Sequence, residues 1–417
     1  MSTKALSETA LQSWQRQLVI VAWITYAAYY LGRVNISTAM PAMQTDLDFT
    51  KSQVGLISTG FFWAYALGQL INGQLGDRVS PRRFILVGML ASAGLNLIFG
   101  TLSFWLPMII LWTINGYFQA TGWGPILRTL ANWLTPTQRR QVSGVFGSCF
   151  VAGNAFTWLL TGWLVANFGW RVAFWIPAML LILLALGWYI TVRDTPEEAG
   201  YPSVSDLSAP PETKAQVGPK NLIHSLLVGL GRFWSLAVAA VFLGFCLISL
   251  IIWLPTYYVE VGGLGIGPAS TLSTLLPFSG IAGTLLIGWI VGHHLSGREV
   301  VSLAWILVIL TALFLVYPVL PINLMVSSIA FMVIGAVVYG ASSLLLATMP
   351  LALGGREEAS GTAGLVDFSF NIGAGLSGGV IGAILDTQSW NVVFMALAGA
   401  ALVAALFMFV PLYRSRR

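Results

Sequence analysis

Hydrophobic residues in this chain fill long runs separated by short polar segments. The runs fall at about 17–41, 52–75, 84–104, 106–131, 141–166 and 171–192, then at about 232–259, 268–292, 300–317, 322–350, 359–385 and 390–412. A helix that crosses the hydrocarbon of a bilayer needs roughly 20 mainly apolar residues, and each run meets or approaches that length. The pattern predicts an all-α integral membrane protein of twelve transmembrane helices in two pseudo-symmetric six-helix bundles. Residues 1–192 form the N-terminal bundle and 232–417 the C-terminal one. Residues 193–231, with Pro196, Pro202, Pro210, Pro211 and Pro219, read as a flexible linker loop.

Composition closes off the alternatives. Of 417 residues, 57% are hydrophobic and 8% charged, against about a quarter charged in soluble domains. A soluble enzyme is excluded. The net charge of +5 reflects Lys and Arg gathered on one side, at Arg78, Arg82, Arg83, Arg139, Arg140, Arg298, Arg356 and the tail Arg414, Arg416 and Arg417. That bias places this side and both termini in the cytoplasm, at the plasma membrane, and gives no reason to expect nucleic acid. The N-terminal stretch lacks a signal-peptide core, so the first run reads as a retained anchor. Cys149 and Cys246 lie in apolar runs, and no metal cluster, Ser/His/Asp set or GxxxxGK[ST] loop occurs. No cofactor, metal, ATP or enzymatic chemistry is expected.

The two halves repeat weakly. Gly144, Gly147 and Asn154 match Gly361, Gly364 and Asn371 at an offset of 217, and Trp170 and Phe174 match Trp390 and Phe394 at 220. Parallel repeats related by an axis along the membrane normal put a binding site between them.

Ionisable groups inside a bilayer are costly and mark function or pairing. Arg33 shares a helical face with Tyr26, Tyr29, Tyr30 and Ser37, a polar stripe suited to a cavity, and its guanidinium fork suits carboxylate or phosphate. Arg128 is either a ligand or gate, or a structural partner of helix ends. Asp367, the one carboxylate well inside the second half's spans, is a structural group in a salt bridge (with an arginine across the cavity) or a hydrogen bond, a proton carrier or a contact for a cationic part of the substrate. The uncharged candidates are Gln69 beneath Tyr65, Asn154, Asn371, Trp253 and Tyr257.

The loop Gly73-Gln74-Leu75-Gly76-Asp77-Arg78-Val79-Ser80-Pro81-Arg82-Arg83 resembles the GxLaDrxGrrr loop of the major facilitator superfamily. The resemblance implies a major facilitator fold and a gating latch at Asp77, Arg78 and Arg82. Within that superfamily, several stretches are similar to the organophosphate:phosphate antiporters, the glycerol-3-phosphate and hexose-phosphate transporters among them. These are Tyr29-Tyr30-Leu31-Gly32-Arg33-Val34-Asn35, Gly116 to Pro125 with Arg128-Thr129, Arg193-Asp194-Thr195-Pro196 and Trp253-Leu254-Pro255-Thr256-Tyr257. The chain departs from them where the family's second arginine, its histidine and its lysine fall on Leu247, Phe150 and Gln69. Phe61-Phe62-Trp63 and Tyr65 resemble the anion:cation symporters instead, but Gly32 and Gln119 replace both of their carboxylates.

The resemblance implies a monomeric secondary transporter of a small phosphorylated or carboxylated organic anion, working by alternating access and anion exchange. Inorganic phosphate or a proton is the coupling species. A proton-coupled symporter and a transporter-like sensor are the alternatives.

Overall fold

The computed structural model describes residues 3–76, 78–202, 219–321 and 323–414. Among them the regular elements are all helical. The first expected span is made of two helices, α1 (Thr3–Tyr29) and α2 (Asn35–Leu47), joined by a 3-10 turn at Tyr30–Gly32. Next come α3 (Lys51–Gly76) and α4 (Pro81–Phe99). The fourth span is again in two pieces, α5 (Trp105–Gln119) and α6 (Trp123–Trp133). A short α7 (Pro136–Phe146) precedes α8 (Cys149–Phe168) and α9 (Val172–Thr191). After the linker come α10 (Pro219–Glu260), α11 (Ile266–Ser273) continuing into α12 (Leu275–His294), and α13 (Glu299–Val316). A π-helical turn at Leu344–Thr348 joins α14 (Leu324–Ser343) to α15 (Met349–Thr387), and α16 (Trp390–Arg414) ends the chain.

Ten stretches among the described residues are long and apolar enough to cross a membrane. The two expected spans outside that set are the interrupted ones. Hydropathy averages over a window and so cannot see a break of three residues. The linker also differs from expectation at its end: α10 begins at Pro219, and Phe233 (φ −113°, ψ 20°) kinks it where the membrane stretch begins.

Two ends of the bundle are tied differently. At the end near the start of α1, Asp194 accepts from the Arg82 amide at 2.7 Å, and Arg82 Nε donates to Tyr189 O at 2.6 Å. Asn132 Nδ2 and Trp133 Nε1 donate to Asp194 O and Arg193 O. The Arg193-Asp194 pair therefore knots α4, α6 and the end of α9 together.

At the distal end, helices from before and after the linker meet. The carboxylate of Asp386, on α15, accepts from the Lys51 and Ser52 amides at 2.7 and 3.0 Å and from the Ser52 hydroxyl. It thus pairs first-turn amides of α3 from another part of the chain, where the helix dipole favours negative charge. Lys51 Nζ pairs with Glu260 of α10 at 2.8 Å. Lower down, Gly379 N donates to Thr59 Oγ1 at 3.0 Å, and Trp63 Nε1 donates to Ile372 O at 3.2 Å. Such a crossing needs bare backbone. A Cβ on either Gly55 or Gly378 would strike the other's carbonyl oxygen.

This contact yields a direct expectation. Cysteines replacing Lys51 and Glu260 should crosslink readily, and adding Gly55→Leu should remove most of that crosslink by forcing α3 and α15 apart. Equal yields in the two backgrounds would contradict the Gly55–Gly378 seal.

Candidate anion site

The first membrane segment stops being an α-helix just before Arg33. Tyr30–Gly32 is a 3-10 turn, and Arg33 (φ −123°, ψ −48°) departs from helical geometry. A break leaves backbone groups unpaired, and hydrocarbon offers no water to replace the partners. Buried amides supply them. Asn115 Nδ2 donates to Gly32 O at 2.8 Å, and Asn96 Nδ2 reaches the same oxygen at 3.4 Å. Asn35 Nδ2 donates to Asn96 Oδ1 at 3.0 Å and to Ala173 O at 3.1 Å. Ser92 Oγ donates to Asn115 Oδ1 at 2.6 Å and accepts from Gln119 Nε2 at 2.7 Å. All five side chains are fully buried. A Cβ on Gly32 would lie 2.8 Å from Leu181 Cδ1 and 2.9 Å from Gln119 Nε2, so any larger residue there would displace the side-chain ends that pack on the break.

The network aims Arg33. Its Nε donates to Gln119 Oε1 at 3.4 Å. Its guanidinium carbon sits 4.5 Å from the Tyr65 ring centroid and 4.9 Å from that of Tyr30. Nη2 is buried and has no hydrogen-bond partner. The ion pairs among the described residues are Lys51–Glu260 and Arg171–Asp46, so Arg33 is in none. A guanidinium held on aromatic faces with a free N–H edge is equipped to receive an anion.

The facing wall comes from later helices. Asp367 on α15 is half-buried, within electrostatic reach of Arg33, and is likewise in no ion pair. Tyr339 of α14 stacks on Phe150 of α8, with centroids 6.3 Å apart, and its buried hydroxyl has no partner. One turn along α8, Asn154 Nδ2 donates to Phe150 O, leaving its buried Oδ1 free. Asn371 Nδ2 donates to the Asp367 carbonyl at 2.8 Å. Gln69 is half-buried, one turn beyond Tyr65 on α3.

Other expected site residues lie in packing. The Tyr29 hydroxyl is committed to Thr121 Oγ1 at 3.1 Å, so its ring joins helices. Trp253 Nε1 donates to Ser377 O at 3.1 Å, and Tyr257 accepts from the Tyr317 hydroxyl at 2.6 Å within a distal aromatic cluster with Phe331, Trp390 and Phe394. Arg128 resolves its alternatives toward structure, because Nη1 donates to Gly76 O and, at 3.0 Å, to Val79 O. It pins the loop between α3 and α4. Arg82 is bound to the end of α9, Arg78 is exposed, and Asp77 lies outside the described residues.

Sequence reading missed Tyr339 and the joint role of Ser92, Asn96 and Asn115. The available signal was Asn96 in one apolar run and Asn115 with Gln119 in the next. Two cavities away from Arg33 lack the charge an anion needs. A distal one of about 620 Å³ is bordered by Leu159, Trp163, Leu264, Pro268, Leu272 and Leu324 with no ionisable side chain.

Comparison with known proteins agrees with this architecture. The family described as Major Facilitator Superfamily matches residues 22–377. The chain is 28% identical over 415 residues to a glycerol-3-phosphate transporter of Bacillus subtilis (strain 168), covering 96% of this chain and 93% of the relative. It is 26% identical over 435 residues to a probable hexose phosphate transport protein of Chlamydia muridarum, covering 100% and 94%. The fold matches a bacterial homolog of the human lysosomal transporter Spinster, in an inward-facing and occupied conformation, with a TM-score of 0.72. That match has 16% identity and covers 97% of both chains.

The amide network should be separable from the loop anchor by mutation. Asn115→Leu should cost about 1–3 kcal/mol by stranding Gly32 O and Ser92, and should weaken binding of a labelled organic phosphate with it. Arg128→Gln should lower the unfolding temperature yet leave that affinity unchanged. Thermal unfolding and equilibrium binding in detergent check both.

Proposed function

We propose, for this chain, which belongs to the Major Facilitator Superfamily, that it exchanges one small phosphorylated or carboxylated organic anion for another across the membrane. It is a multi-pass membrane protein and a transporter, not an enzyme. The observation that carries the reading is the Arg33 guanidinium, seated against Tyr30 and Tyr65 with Nη2 unpartnered. Relatives named for glycerol 3-phosphate and hexose phosphate make a phosphate ester the first substrate to try.

In the mechanism, Arg33 offers its free N–H edge to the anion while the amides around Gly32 hold the break rigid. Tyr30, Tyr65, Asn154 and Gln69 supply the remaining contacts from the first six-helix unit, residues 1–192, with Asp367 and Asn371 opposite from residues 232–417. These units rock about the bound anion, and residues 193–231 strap them together. With both termini cytoplasmic, as the Lys and Arg placement favours, the seal at Lys51, Gly55, Gly378 and Asp386 is the outer gate and the described state opens inward. Exchange is favoured over net flow because reorienting an empty site would carry an unpaired guanidinium through a closed, dry interior. Inorganic phosphate is the natural counter-anion.

Counterflow tests the reading. Proteoliposomes loaded with unlabelled phosphate or glycerol 3-phosphate should accumulate labelled glycerol 3-phosphate. Arg33→Ala should abolish this with insertion unaffected, and Arg33→Lys should restore little, since an ammonium lacks the planar fork. Unimpaired counterflow by Arg33→Ala would overturn the assignment. A wild type that binds organic anions yet moves none would favour a sensor.

A further inference from the structure

Two opposite charges, neither of them in an ion pair, lie within electrostatic reach of each other in the membrane-spanning helices. Arg33 is fixed by the first group of helices, and its Nη2 has no partner. Asp367 lies on α15, in the second group, and no cation stands within 4.0 Å of it among the described residues. The residues three and four positions away on its own helix are Ala363, Gly364, Phe370 and Asn371, none of them a cation. Around Arg33 the neighbours are the rings of Tyr30 and Tyr65, and Phe150 and Asn154 of α8 meet Tyr339 of α14 through the Phe150–Tyr339 stack. Among the described residues, then, no ion pair neutralises either charge.

This pair of charges constrains the ligand. An anion with no amine would neutralise Arg33 but would bring like charge toward Asp367. Leaving that carboxylate without a direct partner in a closed interior is unfavourable. A cation alone would leave Arg33 in the same position. We propose that the site takes a zwitterion, a phosphate or carboxylate at Arg33 carrying an ammonium group that reaches Asp367. The faces of Tyr30, Tyr65, Tyr339 and Phe150 supply cation–π attraction to the ammonium end. Such a ligand bridges the two groups of helices and gives each charge a direct partner. This inference rests on the reading of Arg33 as the anion contact and adds the second charge.

The test is equilibrium binding to the purified full chain with two matched pairs of probes. Phosphoethanolamine is compared with glycerol 3-phosphate, and β-alanine with propionate. In at least one pair the wild type should bind the amine-bearing member about tenfold tighter or more, the worth of one desolvated charge pair. The pair that shows the preference identifies the anionic head as phosphate or carboxylate. Asp367→Asn should erase the preference while keeping or improving affinity for the amine-free anion, and Asp367→Glu should retain it. Ratios near one in both pairs for the wild type, or a preference that survives in Asp367→Asn, would overturn the zwitterion. If Asp367→Asn cannot be recovered folded, the wild-type ratios and Asp367→Glu decide. Arg33→Ala separates the two readings. Retained binding of the amine-free anion by that variant would remove Arg33 as the anion contact whatever Asp367 does.

Discussion

A backbone carbonyl that breaks free of its helix inside a bilayer must find a donor in the protein. At Gly32 that requirement recruits Asn115 and Asn96, and through them Asn35, Ser92 and Gln119. Side chains from three membrane segments thus join one network, and two of them donate to that oxygen. The break turns Arg33 out of regular helical geometry, and the amides hold it there. A guanidinium on an unbroken helix would be free to swing toward lipid headgroups, whereas this one is held against Tyr30 and Tyr65. The polar network is fully buried and nearly fully satisfied, the condition under which such networks rigidify a site.

The same long helices serve both the centre and the distal seal. α3 carries Tyr65 near its middle and Lys51 at its distal end, and α15 carries Asp367 and, five turns on, Asp386. Thr50 and Gln53 cap α3 in a capping box, and the Asp386 carboxylate accepts from the Lys51 and Ser52 amides, so closing the seal pairs first-turn amides that the box leaves open. A ligand that touches Arg33 and Asp367 pulls on the helices that make this seal. Binding and gating therefore share parts, which is what a carrier needs if occupancy is to shift its conformational balance.

The membrane class, the helical segments and Arg33 were legible in the sequence, because long apolar runs and an intramembrane arginine are strong signals. The breaks at Tyr30–Gly32 and Ala120–Gly122 were not, because they change backbone geometry without changing hydropathy. Trp253 and Tyr257 looked like ligands since aromatic residues with polar tips suit cavities; in the fold the Trp253 N–H donates to Ser377 O and the Tyr257 oxygen accepts from the Tyr317 hydroxyl. Arg128 could not be placed from spacing alone. Its partners are two carbonyls some fifty residues earlier in the chain, and carbonyl partners leave no trace in residue identity. Tyr339 was overlooked for a similar reason: its value lies in facing Phe150 from a distant helix.

The central claim is that the anion docks on the free edge of Arg33. A crystal structure of the full chain soaked with tungstate, a heavy tetrahedral oxyanion, addresses it directly through the anomalous signal. The account predicts a peak whose oxygens lie within about 3 Å of the Arg33 guanidinium, bordered by Tyr30, Tyr65 and Asn154. A dominant peak elsewhere, in the distal cavity beside Trp163 or among the exposed arginines, with Arg33 Nη2 still unpartnered, would contradict it.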